Sequence, residues 1–230
     1  MSIELLPYAA QHAAEWDCFC ASSLQGTLLH TRRFLSYHGE RFDDFSLLVK
    51  EDGVLVGVFP AALSPTDPSC VVSHPGITYG GLVHHGRLRG ERMIKVLMAI
   101  RQRYMACGFN KLIYKTVPAI YHQSPAQDDL YALFRLGGRR TRCDLSSTIN
   151  VARRLAVSER RKRGWKKAER AGVLIVTGCK HLPEFWQVLT ENLQRKHGVT
   201  PVHTLDEIQL LARCFPDAIT LVAASVGDRI

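Results

Sequence analysis

The sequence predicts an α+β protein of mixed, mostly antiparallel sheets flanked by helices, laid down as two tandem copies with the second incomplete. Three observations predict it. Residues 1–151 read as strand, two helices, hairpin, strand, helix, strand, helix, strand. From residue 173 the same order begins again, which is the mark of a duplication. Between the two lies SERRKRGWKKAERAG, Ser158 to Gly172, a stretch unlike the rest of the chain. The organisation expected is a first domain over 1–151, a basic connecting helix over 152–172 and the N-terminal part of a second domain over 173–230.

In the first copy, Ile3–Pro7 is a strand candidate. Ala10–Ser22 carries Ala13, Ala14, Trp16 and Phe19 at helical spacing, Gly26 breaks the pattern, and a second helix is expected near Thr31–Tyr37. Phe45–Val49, the turn Glu51-Asp52-Gly53, and Val54–Leu63 form a hairpin. Val71–Val83 is extended and holds the run Ser-His-Pro-Gly-Ile-Thr-Tyr-Gly-Gly-Leu at Ser73–Leu82, whose glycines allow close backbone approach. Glu91–Cys107 is a helix ending at Gly108, Lys111–Val117 a strand, Asp128–Leu136 a helix ended by Gly137-Gly138, and Cys143–Val151 a last strand.

Ser158 as N-cap and Gly172 beyond the C-terminus frame a helix of about thirteen residues. Between Arg153 and Arg170 stand nine Lys or Arg against two Glu, which supplies most of the net charge of +9. Arg160, Lys162, Arg163, Lys166, Lys167 and Arg170 share one arc; Gly164, Trp165, Ala168 and Ala171 share the other, expected to pack. Arg161 falls within that second arc, where it either snorkels to water or meets an anionic ligand.

The second copy is expected as strand Val173–Thr177, helix Glu184–Lys196, helix Leu205–Cys214, strand Ile219–Ser225 and a turn at Gly227-Asp228. His30-Thr31 and His203-Thr204 open the second helix of each copy. Judged from the first copy, about 95 further residues would complete the second.

Composition excludes several classes. With 46% hydrophobic and 22% charged residues the chain can bury a core. No uninterrupted apolar run approaches the roughly 18 to 20 residues of a membrane span, and the N-terminus lacks a secretory pattern. Seven cysteines without a C-x-x-C pair suit a reducing, cytoplasmic setting. The adjacent His84 and His85 do not converge on one ion, so no metal is expected. A pI near 9.4 admits polyanion affinity, including tRNA contact through the basic helix.

Several runs resemble the FemAB-like branch of the GNAT acyltransferases, in which two such domains occur in tandem. They are Phe34-Leu-Ser-Tyr-His38, the SHPGITYGGL run, Tyr114-Lys115-x-Val117-Pro118-x-x-Tyr121-His122, Ser158-x-Arg160-Arg161 with Lys166-Lys167-Ala168, and Pro201-Val-His-Thr-Leu205 with Phe215-Pro216. The resemblance covers nearly the whole chain. It implies transfer of an acyl group, from acyl-CoA or aminoacyl-tRNA as co-substrate and with no tightly bound cofactor, to an amine on a carbohydrate, nucleotide-sugar or peptidoglycan-type acceptor. An anionic acceptor would suit Arg161 and Lys115, with Tyr121 and His122 beside it.

Acyl transfer to an amine needs a polarised carbonyl, a neutral amine and a proton route. Tyr79 would give a proton to the leaving group, and His74 or His122 would take one from the amine. Structural readings stay open for each: a packed Tyr79, and turns at His74-Pro75 and after Pro118. The pyrophosphate loop of the fold should be Arg/Gln-x-x-Gly-x-Gly/Ala at a helix start. Here Arg87-Leu-Arg-Gly90-Glu91-Arg92 ends in arginine, with Glu91 repelling phosphate. Donor binding is therefore not expected in the first copy. Its equivalent in the second would lie past Ile230, and residues 1–230 alone are expected to lack turnover. A noncatalytic ligand-binding or scaffold protein of this fold is the alternative, and a nucleic-acid-associated protein the third reading.

Overall fold

A computed structural model of the chain describes residues 2–227, 229 and 230. Two compact units emerge, 1–141 and 142–230.

The first unit opens with β1 (Ile3–Pro7), α1 (Ala13–Ala21) and a short α2 (Arg32–Leu35). Then come β2 (Leu47–Glu51), β3 (Val54–Phe59), β4 (Ala62–Ser64), β5 (Asp67–Val72) and β6 (Val83–His84). It closes with α3 (Glu91–Ala106), β7 (Lys111–Ile113) and α4 (Asp128–Arg135). β1, β2, β3 and β6 form one antiparallel sheet in that order; β4, β5 and β7 form another, in which β5 and β7 run parallel. The β2–β3 hairpin turns on Asp52 and Gly53, both at positive φ, which is the chemistry of its Asp-Gly sequence.

α3 buries Met93, Val96, Leu97, Ile100 and Tyr104, one stripe at helical spacing, against Leu47, Val49, Val56 and Phe59 of the sheet. Each such side chain contributes roughly 1.5–3 kcal/mol. On the opposite face Trp16, Phe19 and Cys20 of α1 pack on Leu48, Val58 and Val83. The alternation of β2 residues between the two clusters is the period of two that a strand imposes.

The second unit holds α5 (Glu159–Arg170), β8 (Val173–Thr177), α6 (Leu182–His197), α7 (Leu205–Cys214) and β9 (Val222–Val226). β8 and β9 pair antiparallel. Leu182, Ala212, Leu221 and Ala223 form a small core with Phe185, Trp186 and Ile208 against it. Thr31 and Thr204, the second residues of the repeated His-Thr pairs, both cap helices: Thr31 Oγ1 accepts from Phe34 N–H and Thr204 Oγ1 from Glu207 N–H. The dipeptide recurs because each marks a helix start.

Some expectations fail. Residues 143–151 form no strand: they run exposed and unpaired, with a 3-10 turn at Val151–Arg153 capped by the Asn150 side chain. Alternating Leu145, Ile149 and Val151 satisfies strand propensity, but no ladder partner meets them. The predicted 71–83 strand splits because His74 adopts φ 63 ahead of Pro75. The 111–117 strand stops at Ile113, since the Lys115 N–H goes to the Ser73 hydroxyl. α5 forms where expected but buries no face: all its residues are exposed except half-buried Ala168. Gly164 and Ala168 offer too little apolar area to hold it down, so Arg161 is not in an apolar arc at all. Of the Gly227-Asp228 turn, Asp228 lies outside the described residues.

Candidate functional site

The Ser73–Leu82 loop crosses the first unit and is pinned along its length. Ser73 N–H donates to Ile113 O at 2.8 Å, Lys115 N–H to Ser73 Oγ at 2.7 Å and Gly80 N–H to Lys115 O at 2.9 Å. The Lys115 ammonium donates to the His74 carbonyl at 3.2 Å and to the Ile77 carbonyl. Lys115 is thus the fastener of the loop, which explains how a lysine is tolerated there. The glycines do allow close approach, but to the chain itself: a Cβ on Gly80 would overlap the Ser73 carbonyl and one on Gly76 the His38 ring.

Against one side of this loop lies a cavity of about 150 Å³, walled by Tyr8, Arg32, His38, Phe42, Asp44 and His74. Arg32 is buried, with 6% exposed. Its guanidinium lies 3.4 Å over the Tyr8 ring and 4.2 Å from that of Trp16, and Nη1 donates to Asp44 Oδ2 at 2.5 Å. Nε and Nη2 are buried with no hydrogen-bond partner. Those two N–H groups share one edge of the guanidinium, the fork that takes a carboxylate or phosphate bidentately. Left empty, such donors carry a cost of about 1–3 kcal/mol each.

His74 meets the cavity beside His38, ring centroids 5.1 Å apart, and the edge of Phe42. Burial, helped by the neighbouring His38, lowers its pKa to about 3. Its Nδ1 accepts the Gly76 N–H at 3.3 Å. In that tautomer the proton sits on Nε2, so at neutral pH His74 offers a hydrogen-bond donor and is a poor base.

The other side of the loop is aromatic. Tyr79 lies 5.0 Å from Tyr121, the rings tilted by 30° and Tyr121 47% exposed, and its hydroxyl donates to Thr27 Oγ1 at 3.3 Å. Burial raises the pKa of Tyr79 and keeps it protonated. His30, lowered to about 4 by burial, takes the Thr27 N–H on Nδ1 and faces Gly80 O with Nε2 at 3.2 Å. His122 approaches Val117 O with Nε2, at 3.2 Å, and its Nδ1 is buried without a partner.

The first unit therefore assembles His74, Lys115, Tyr79 and Tyr121 around one loop, with His122 following on the turn after Pro118. Arg161 belongs to the second unit and is exposed. Arg32 and Asp44 escaped sequence reasoning. The signal was an arginine directly after the His30-Thr31 cap in an aromatic-rich stretch, and its aromatic lid, Tyr8 and Trp16, comes from the preceding elements.

At the start of α3 the chain supplies a carboxylate of its own. Gly90 N–H, where a pyrophosphate would rest, donates to Asp128 Oδ1 at 2.9 Å. A carboxylate already occupies that end.

No family model matches the sequence, and no curated protein matches it closely. Among solved structures, FemX aligns with a TM-score of 0.55 at 15% identity over 95% of this chain. The chain shares the mixed α/β fold of FemX. The chain spans 57% of the length of FemX. Two smaller structures align over 65% of this chain and 99% of their own, each at 17% identity. They are AAC(6')-Iy with a CoA-containing bisubstrate analogue (TM-score 0.44) and a ribosomal-protein-alanine N-acetyltransferase from Brucella melitensis biovar Abortus 2308 (TM-score 0.40). Likenesses that loose carry no argument about this chain.

Proposed function

We propose that the chain is part of an N-acyltransferase, moving an acyl or aminoacyl group from acyl-CoA or aminoacyl-tRNA to an amine on a carbohydrate, nucleotide-sugar or peptidoglycan-type acceptor. The first unit binds that acceptor. The observation carrying this is the unpaired Nε–Nη2 edge of buried Arg32 at a cavity walled by His74. An acceptor bearing a carboxylate or phosphate fills that edge, and the FemAB-like fold supplies the context by analogy.

In this reading the anion-binding role expected of Lys115 and Arg161 falls to Arg32. The His74 Nε2–H orients an acceptor oxygen and does not take the amine proton. Tyr121 and Tyr79 give a face on which a sugar or base stacks. The acceptor amine enters neutral and attacks the donor carbonyl; a C–N bond forms, the thioester or ester bond breaks, the Tyr79 hydroxyl gives the leaving group a proton, and the proton shed by the amine nitrogen returns to Tyr79 through solvent. Because Asp128 closes the start of α3, the donor's pyrophosphate does not rest on that helix end. That detail also favours a second reading, in which the 230-residue chain is an acceptor-binding module without turnover.

The test is calorimetric titration with an amine-bearing nucleotide sugar and a muropeptide, alongside their esterified or dephosphorylated forms. The anionic forms should bind at least about tenfold more tightly, as charge-assisted hydrogen bonds require. Arg32→Lys, which keeps charge but loses the fork, should remove most of that preference. Equal affinity for both forms, or an unchanged preference in Arg32→Lys, refutes the assignment. Thiol release from acyl-CoA in the same mixtures separates the enzyme from the binding module.

A further inference from the structure

We infer that residues 142–170 form a docking surface for an anionic lipid bilayer, independent of the acyl chemistry above. Every residue of this run is exposed except half-buried Ala168. It holds ten Lys or Arg against Asp144, Glu159 and Glu169. Among the described residues only two of the ten pair with carboxylates, Arg142 with Asp144 and Lys162 with Glu159.

Charge alone would suit any polyanion. The apolar residues decide between them. Leu145, Ile149, Val151 and Leu155 are 76–100% exposed, and Trp165 stands 66% exposed on the arc of α5 that it shares with Arg161. Aliphatic side chains add nothing to phosphate contacts along a nucleic acid, whose non-sequence-specific binders pair basic residues with aromatic stacking. A bilayer interface takes both kinds at once, basic groups among anionic headgroups and apolar ones at the acyl boundary, with tryptophan at headgroup depth. Exposed apolar side chains interleaved with basic ones are also hard to explain as a merely solvated face. α5 is twelve residues, about 18 Å long, and no helix among the described residues is long and apolar enough to cross a membrane. The segment therefore lies on a surface.

The experiment is vesicle flotation of the full chain at about 150 mM salt, where screening is already strong. Vesicles are phosphatidylcholine alone or with about one-third phosphatidylglycerol; polyuridylate serves as the nucleic-acid probe. The chain should float with the anionic vesicles and not the neutral ones, with a blue shift in tryptophan emission that Trp165→Phe abolishes. Arg163→Gln with Lys166→Gln and Lys167→Gln should weaken vesicle binding roughly a hundredfold, about fivefold per charge. Leu145→Ser with Leu155→Ser should weaken it roughly tenfold and leave polyuridylate binding unchanged. Wild-type vesicle binding in the leucine variant overturns the proposal. So does polyuridylate binding tighter than vesicle binding without an emission shift, which assigns the run to nucleic acid. Because every substituted side chain is exposed, melting temperatures should match wild type and loss of fold is separable from loss of binding.

Discussion

The two units share a series of elements and end differently. Each contains a strand followed by two helices, the second capped by threonine, before the chain returns to a strand; in the second unit α5 precedes that series. In the first unit, β2 lies between β1 and β3 and both its faces are covered, one by α3 and one by α1. In the second, β8 and β9 stand as a pair. Leu182 and Ala212 cover one face, while Ile175, Val222 and Val226 remain exposed on the other. Local signals write the same elements in both places; burial depends on how many layers those elements find.

Two tryptophans put the largest number on this contrast. Trp16 is 0% exposed and its indole N–H donates to the His30 carbonyl at 2.7 Å; Trp165 is 66% exposed. Trp16→Ala should cost about 3–5 kcal/mol, through lost packing and a cavity. Trp165→Ala should stay within about 0.5 kcal/mol. Urea midpoints at constant slope measure both. Similar losses would mean that α5 is packed after all, and the contrast would fail.

Acid should divide the units next. His30 and His84 are lowered to about 4 and His74 to about 3, in each case chiefly by burial, against an ordinary value of 6.5 in the unfolded chain. Between those values the unfolded state binds more protons, so stability falls as pH drops below 6.5. Each histidine contributes up to about 1.4 kcal/mol per pH unit, and the loss levels off once pH passes below the folded values. No histidine of the second unit is buried. Hydrogen exchange should therefore show β2 and β3 amides losing protection between pH 7 and 5 more steeply than those of α7. Parallel loss in both would show that buried histidines do not govern the first unit.

The elements were legible because their signals are local. Glycines and caps frame α3, α5 and α7, the Asp-Gly turn makes the hairpin, and β8 and α7 fall on their expected residues. The candidate site was legible only in part. The loop announced itself through its glycines, and Tyr79 and Tyr121 do meet. Arg32 was hidden because its environment is assembled from β1, α1 and the stretch before β2, which no spacing rule connects. The backbone partners of Lys115 were hidden for the same reason: two of them are carbonyls of a loop some forty residues away. Residues 143–151 show the reverse failure, in which the right alternation met no partner strand.

The smallest effect is the most specific. Thr31 and Thr204 perform the same local task, so Thr→Ala at either should cost about 1 kcal/mol, and Thr→Ser should recover most of it. Their consequences should differ. Thr31 also donates to the Leu28 carbonyl at 2.7 Å, and the helix it starts carries Arg32 at its first position. Losing the Thr31 cap loosens the backbone from which the guanidinium reaches Asp44, so acceptor affinity should fall with stability. Thr204 closes a capping box with Glu207, whose carboxylate takes the Thr204 N–H at 2.9 Å, at the start of α7 in the second unit. Thr204→Ala should lower the urea midpoint and leave acceptor titrations unchanged. If both variants weaken acceptor binding equally, the site does not rest on α2 alone, and the division of labour between the units must be redrawn.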